Sequence, residues 1–489
     1  MNFVDYLFEE NKLSTNPVLA GKDEICYNEM YEKIINLAYF IQTKYSTGKK
    51  ILLLSDNNDF FIISYLAIIK SGNIAVLIET QISNKDLQDV LDTCSLGAYF
   101  IQEKYQCKFP GISDDIYTES FLKESFYETK KIITPENYDD NVAVIIFTSG
   151  STGTKKGVML THRNLCENTN SIVEYLNLTK NDRIYIVLPF FYCFGASLLH
   201  THIRAGGSIY LHNKPFLGSV IKDINKHNCT GFAGVPSTYQ ILINKSPLLE
   251  GDYPSLRYFA QSGGHLPNKY IEKIVDSFPD KEFYLMYGAT EATSRLSYLP
   301  PHLIREKMGS IGKGIPGVLL EVLDKNGNKI KHGEIGEITA CGNNIMKGYY
   351  GDPVETAKVL KNGRLYTGDL ATIDSDGFIY IVGRSKNIIK SGGYRISPKE
   401  IEDVILSLDS IFECVVIGIP DDIMGEGVVA AVRSKIDEKN QIDDIILSCC
   451  NKNLPSYKVP KKVFVFKEFP LNSSGKVDRN KIMEMILSD

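Results

Sequence analysis

Short, β-rich apolar runs alternate along the chain with glycine- or proline-containing turns and with helical patterns. "KKILLLSD" (49–56) reads as a strand, "FFIISYLAIIKSG" (60–72) as a helix stopped by glycine, and "NIAVLIE" (73–79) as the next strand. The same rhythm returns in "DRIYIVLPF", "GSIYLHN", "TGFAGVPS", "LRYFAQSGG" and "EFYLMYG", several of which end at a glycine turn. Strands alternating with helices predict an α/β fold with substantial parallel sheet, and ligands of such folds gather at the carboxyl ends of the strands. After about residue 380 the pattern changes. "DGFIYIVGR" closes at Gly383-Arg384, a polar segment follows, and "SPKEIEDVILSL" opens a helix with Ser397 as cap, Pro398 in the first turn and Glu400 three residues past the serine. The chain therefore divides into a large N-terminal domain, 1–383, and a small, mobile C-terminal α/β domain, 384–489, with a hinge near 385–386.

One loop stands out chemically. An apolar run, Val142 to Phe147, leads into "TSGSTGTKKGVMLTH" (148–162), rich in glycine and hydroxyl groups and carrying Lys155 and Lys156. Strand, glycine loop and helix in series would suit a phosphate, because glycines admit close backbone N–H groups. Spacing excludes the two common phosphate motifs. A Walker loop starting at Gly150 needs glycine at 155, and one starting at Gly153 needs it at 158; lysine and valine stand there. Gly-x-Gly-x-x-Gly is absent from this loop as well.

Composition narrows the class. A 489-residue chain has material for two to four domains, and 43% hydrophobic with 23% charged residues is ordinary for a soluble globular protein. A net charge of -5 gives no support to nucleic acid as a partner. No apolar stretch approaches the ~20 residues that span a bilayer, and the N-terminus lacks the basic region of a secretory signal. A cytoplasmic enzyme without integral membrane association is expected. The ten cysteines form no Cys-x-x-Cys pair and read as reduced thiols.

The loop resembles the nucleotide loop of the AMP-forming adenylating enzymes, the superfamily of acyl- and aryl-CoA synthetases, nonribosomal peptide synthetase adenylation domains and luciferases. Further motifs follow in that family's order: "LPFFYCFG" (188–195), "GFAGVPSTY" (231–239), "SGGHLP" (262–267), "YGATEAT" (287–293), "YTGDL" (366–370), "GRSKNIIKSGGYRISPKEIE" (383–402) and "PLNSSGKVDR" (470–479). The resemblance implies two half-reactions. A carboxylate attacks the α-phosphorus of ATP, giving an acyl-adenylate and pyrophosphate; a thiol then attacks the activated carbonyl, giving a thioester and AMP.

It also implies roles. Thr148, Ser149, Gly150, Ser151, Thr152, Gly153 and Lys156 would hold the β- and γ-phosphates. Glu291 would ligate Mg²⁺, with Thr290 reaching the α-phosphate. Asp369 would accept both ribose hydroxyls, Arg384 would support ribose or phosphate, Tyr287 would lie near the adenine, and Gly263 and Gly264 would pass between adenine and acyl group. Lys476 would be the catalytic lysine carried in by the small domain, and Lys386 the hinge.

The acyl pocket departs from the family pattern. Tyr192 stands where acyl-CoA ligases often carry histidine, and Cys193 where amino-acid-activating relatives carry an aspartate for the substrate ammonium. No acid lies between Leu188 and Ser208, and an unpaired buried ammonium is costly. A simple aliphatic or aromatic carboxylic acid is therefore the expected substrate, with Tyr192, Cys193, Tyr239 and His265 as candidate pocket residues. The acceptor is CoA or the phosphopantetheine of a separate acyl or peptidyl carrier protein, with CoA favoured. A non-catalytic nucleotide- or acyl-AMP-binding protein is the alternative of a different class; intact Glu291, Asp369 and Lys476 argue against it. The oligomeric state stays open at this level.

Overall fold

The computed structural model describes residues 1–22, 24–109, 115–124, 139–149, 155–212, 217–436, 439–471 and 477–488. Among these, the expected α/β alternation is built as four sheets. In a nine-stranded sheet, Arg183–Ile186, Ser208–Leu211, Gly231–Gly234, Tyr258–Gln261 and Glu282–Tyr287 run parallel. A seven-stranded sheet has Lys50–Leu54, Ile74–Leu77, Leu96–Ile101 and Val142–Ser149 parallel at its centre. A third, antiparallel sheet is built on Val318–Leu323, Gly336–Gly342, Arg364–Ile373 and Ile379–Arg384. The fourth belongs to the smaller C-terminal domain and joins Ile389–Ser391, Tyr394–Ile396, Ile411–Asp421, Gly425–Ser434 and Lys462–Val465.

The helices follow from local chemistry. Asn58 caps Asp59–Lys70 by accepting from the Phe61 amide, and the helix is buried nearly all round, as its unbroken apolar run requires. Gly72 ends it at φ +80°, a conformation only glycine adopts freely. A reciprocal box between Thr161 and Asn164 starts His162–Tyr175.

Two local expectations are corrected. The glycine loop does not lead directly into a helix. It joins Val142–Ser149 to an antiparallel strand, Lys155–Thr161, and the helix begins only at His162. The cause lies in the residues after the lysines. Val158 and Leu160 are buried, and they pair with the apolar face of the preceding strand. At the helix Pro398–Leu406, Ser397 sits at the cap position but makes no capping bond. Its hydroxyl donates instead to the Val382 carbonyl, and Glu400 pairs with Lys458 at 2.6 Å.

Candidate active site

The site is assembled at the carboxyl end of Glu282–Tyr287. Gly288 follows, and there a Cβ would lie 1.8 Å from the Ser294 carbonyl oxygen, so only glycine lets the chain fold back so tightly. The return includes a short 3₁₀ turn, Thr290–Ala292, then Thr293 at φ +67°, and a Leu296 amide bonded to the Tyr287 carbonyl at 2.9 Å. This tight loop fixes Tyr287, Thr290 and Glu291 relative to one another.

Asp369 and Arg384 are cross-strand partners in the third sheet. The Asp369 carboxylate is 5% exposed; it accepts from Arg384 Nε at 2.9 Å on one oxygen and from the Tyr287 hydroxyl at 2.6 Å on the other. The negative charge of Asp369 raises the Arg384 guanidinium above its ordinary range. Burial, reinforced by Asp369, raises the Tyr287 phenol. Each carboxylate oxygen has a second lone pair, so these bonds leave acceptor capacity for a diol. Tyr287 is thus joined to Asp369 rather than standing only against a base.

Glu291 is held from two sides. Its carboxylate accepts from the Tyr349 hydroxyl at 2.8 Å, and its carbonyl accepts from the Met346 amide at 2.9 Å. Tyr349 belongs to a short strand pairing with Lys155–Thr161, which ties Glu291 to the phosphate-loop hairpin. Burial, then the charge of Glu291, raises the Tyr349 phenol. Lys156 lies 5.1 Å from the Tyr349 ring centroid and pairs with Glu355 at 2.5 Å. Lys155 turns away to Glu79. Thr290 is buried, and its hydroxyl meets the Cys193 thiol at 3.4 Å. Lys386 follows Arg384 in a short 3₁₀ turn; burial, then Arg384, lowers its ammonium.

Most expected residues therefore converge: Tyr287, Thr290, Glu291, Asp369, Arg384, Lys156, Lys386 and Cys193. Tyr192 adjoins them at the start of the helix Cys193–Arg204. Thr148 and Ser149 end the strand opposite Lys156 and Lys155. Gly263 and Gly264 follow Tyr258–Gln261, the neighbour of the strand ending at Tyr287. Gly150, Ser151, Thr152, Gly153 and Lys476 lie outside the described residues.

One pocket expectation is corrected. Tyr239 is completely buried; its hydroxyl donates to the Ala260 carbonyl at 2.9 Å, and its ring packs on Phe232, Phe259 and Phe283. It is a core residue because its polar end is satisfied by a neighbouring strand. His265 faces the small domain, pairing with Asp403 at 2.8 Å. Sequence reasoning gave no role to Tyr349 and Glu355. Tyr349 lies in the stretch "GEIGEITACGNNIMKGYY" (333–350), whose spacing says nothing of a partner 58 residues away.

The family model for AMP-binding enzymes matches residues 10–350, and that for the AMP-binding enzyme C-terminal domain matches 400–476. A feruloyl-CoA synthase from Amycolatopsis sp is 34% identical over 351 residues, 70% of each chain. A 2-succinylbenzoate–CoA ligase from Bacillus cereus is 30% identical over 468 residues, covering 95% of this chain and 94% of its own. Among solved structures, the o-succinylbenzoate CoA synthetase of Bacillus subtilis in complex with its acyl-adenylate intermediate superposes with a TM-score of 0.88 at 26% identity, covering 98% of this chain and 97% of that one. The same enzyme with ATP and a magnesium ion gives 0.86, also at 26% identity, covering 98% of this chain and 99% of that one. The chain belongs to the AMP-binding enzyme family. It is an ATP-dependent, AMP-forming ligase of the acyl-CoA synthetase type.

The residues present fit Mg²⁺. Among the described residues no group of three His, Cys, Asp or Glu side chains could cage a metal. Glu291 offers a single oriented carboxylate, which suits an ion that takes most of its ligands from substrate phosphates and water. No helix among the described residues is long and apolar enough to cross a membrane.

Proposed function

We propose that the chain joins a simple carboxylic acid to the thiol of CoA through an acyl-adenylate. The observation carrying this reading is the array that runs from Asp369 and Arg384, through Tyr287, to Thr290, where it meets Cys193 in an acyl segment that contains no acid. In the first step a carboxylate oxygen bonds to the α-phosphorus and the bond to pyrophosphate breaks. Two anions meet there, so catalysis is chiefly positioning and charge stabilisation. Thr290 orients the α-phosphate, Asp369 holds the ribose diol, and Lys156 exchanges Glu355 for the departing phosphates. Glu291 would hold Mg²⁺ against the phosphates, where the ion supplies charge neutralisation. Lys476 supports the crowded oxyanion and must withdraw before the thiol arrives. In the second step sulfur bonds to the carbonyl carbon, AMP leaves, and the thiol proton passes to solvent.

The domain boundary at 383/384 and the hinge at Lys386 belong to the same proposal. Lys386 stands between the third sheet and the fourth, and so at the one covalent link across which the small domain can turn. The test is a pyrophosphate-release screen over aliphatic and aryl acids, repeated with CoA and with phosphopantetheinylated carrier proteins. Release dependent on an acid, with a CoA thioester as product, is expected. Thioester on the carrier alone would reassign the acceptor. Robust activation of a proteinogenic amino acid, with none of any plain acid, would overturn the substrate class.

A further inference from the structure

Arg295 is the largest fully buried side chain among the described residues, 2% exposed, yet it takes part in no ion pair among them. Its partners are neutral. Nε donates to Met286 Sδ at 3.3 Å, Nη1 donates to Ser294 Oγ at 2.7 Å, and the guanidinium lies 3.9 Å from the Phe194 ring centroid. The Tyr175 hydroxyl and the Ser294 carbonyl complete this neutral set, and a buried cation held by neutral partners alone keeps much of its desolvation cost. The burial is not an accident of a distant core. Arg295 closes the tight loop that carries Thr290 and Glu291. Phe194 is bonded to Cys193, whose thiol touches Thr290. Cys193, Thr293 and Ser294 line one small cavity. Met286 immediately precedes Tyr287.

An acid whose carboxylate lies at Thr290 must direct its remaining atoms away from the phosphates, past Cys193 and Phe194. Behind that segment, which (188–208) contains no acid of its own, the Arg295 guanidinium lies against the Phe194 ring with no ion-pair partner among the described residues. We propose that Arg295 is the specificity-determining residue of the acyl pocket and that it selects acids bearing a second carboxylate. The second carboxylate supplies the missing anion in a desolvated site, where guanidinium–carboxylate geometry is strongest. The same charge repels an ammonium, which excludes α-amino acids by a route independent of the missing aspartate.

This inference rests on the ligase reading above, and the experiment separates the two. Acid-dependent pyrophosphate release is measured with aliphatic and aryl dicarboxylic acids and with monocarboxylic acids of the same length, for wild type, Arg295→Met and Arg295→Lys. Melting temperatures establish that each variant is folded. Wild type should prefer a diacid, Arg295→Met should shrink the ratio of kcat/KM for diacid over matched monoacid by at least about thirtyfold, and Arg295→Lys should keep part of the preference. Preference of wild type for monoacids, or equal loss for both acids in folded Arg295→Met, would overturn the assignment while the ligase reading stands. No pyrophosphate release with any acid, wild type included, would overturn the ligase reading and the assignment with it.

Discussion

Lys156, proposed above for the phosphates of ATP, is paired with a carboxylate of its own chain. Its ammonium is held by Glu355, whose carboxyl the bond to Lys156, and then that to Lys358, lowers to about 2. Glu355 is thus ionised throughout the working pH range, and on the proposed reading it would compete with the phosphates for Lys156. Glu355→Gln should lower KM for ATP about two- to fivefold at low ionic strength, with the gain shrinking as salt is added; an unchanged KM at low salt would show that the pair does not compete with nucleotide. At Asp369 the expectation is opposite in sign. Tyr287→Phe removes a hydrogen bond to a buried carboxylate and should raise KM for ATP about tenfold, with little change in melting temperature. The pairing of Asp369 with Tyr287 exemplifies what residue-level reading gives and omits. "YTGDL" and "YGATEAT" each pointed to nucleotide, but neither contains the fact that their side chains touch. The Lys156–Glu355 pair is more extreme. Its members lie 199 residues apart, and no local pattern distinguishes Glu355 from a solvated helix residue.

At the scale of elements, apolar periodicity was the reliable signal, and it failed where a side chain had two possible partners. The strands at 50–54, 74–77, 258–261 and 282–287 fall within the runs that announced them. The strand after the glycine loop was hidden because "KKGVMLTH" runs on into a true helix and its pairing partner precedes the loop. Ser397 carried the local signature of a cap, but a carbonyl from the other domain took its hydroxyl. The contact between Asn268–Ser277 and the small domain is likewise invisible in sequence. Lys269 donates to the Leu408 and Ile411 carbonyls at 3.0 and 2.6 Å, and Tyr270 donates to Phe412 at 3.2 Å. Burial lowers the Lys269 ammonium to about 8, partly opposed by Asp409 and assisted by Lys273 and Lys435. The docked state therefore binds fewer protons than the undocked one between pH 8 and the ordinary lysine range near 10.4. By linkage, docking strengthens as pH rises through that window and is independent of pH below it. Fluorescence transfer between labels on the two domains should report more docking from pH 8 to 10. In Lys269→Met that dependence should vanish; its persistence would place the titrating group elsewhere.

For the whole molecule, the chain has to solve a problem that no rigid fold solves. On the proposed reaction, one carbonyl is reached first by Lys476 and then by a thiol. The α/β alternation and the change of pattern after residue 380 foreshadow two bodies, and the third and fourth sheets meet at a short turn, Ser385–Asn387. Lys386 in that turn has its ammonium lowered, first by burial and then by Arg384, so it sits in the crowded strip beside the site rather than in a free linker. If rotation is taken up there, fixing one backbone dihedral should separate the half-reactions. Proline at 386 locks φ, removes the amide donor and restricts Ser385 as well. Lys386→Pro should leave acyl-adenylate formation measurable by pyrophosphate release, but slow thioester formation by about a hundredfold, because the thiol then meets a misaligned site. Lys476→Ala should do the converse, losing adenylation while still transferring the acyl group from supplied acyl-adenylate. Measured side by side, the two variants test the division of labour more strictly than either alone. Equal loss of both steps in Lys386→Pro would remove the hinge from residue 386. Normal ATP–pyrophosphate exchange in Lys476→Ala would remove the lysine from the first step. Opposite losses in the two variants are what a turning domain requires, since a fixed one would carry both defects through the same geometry.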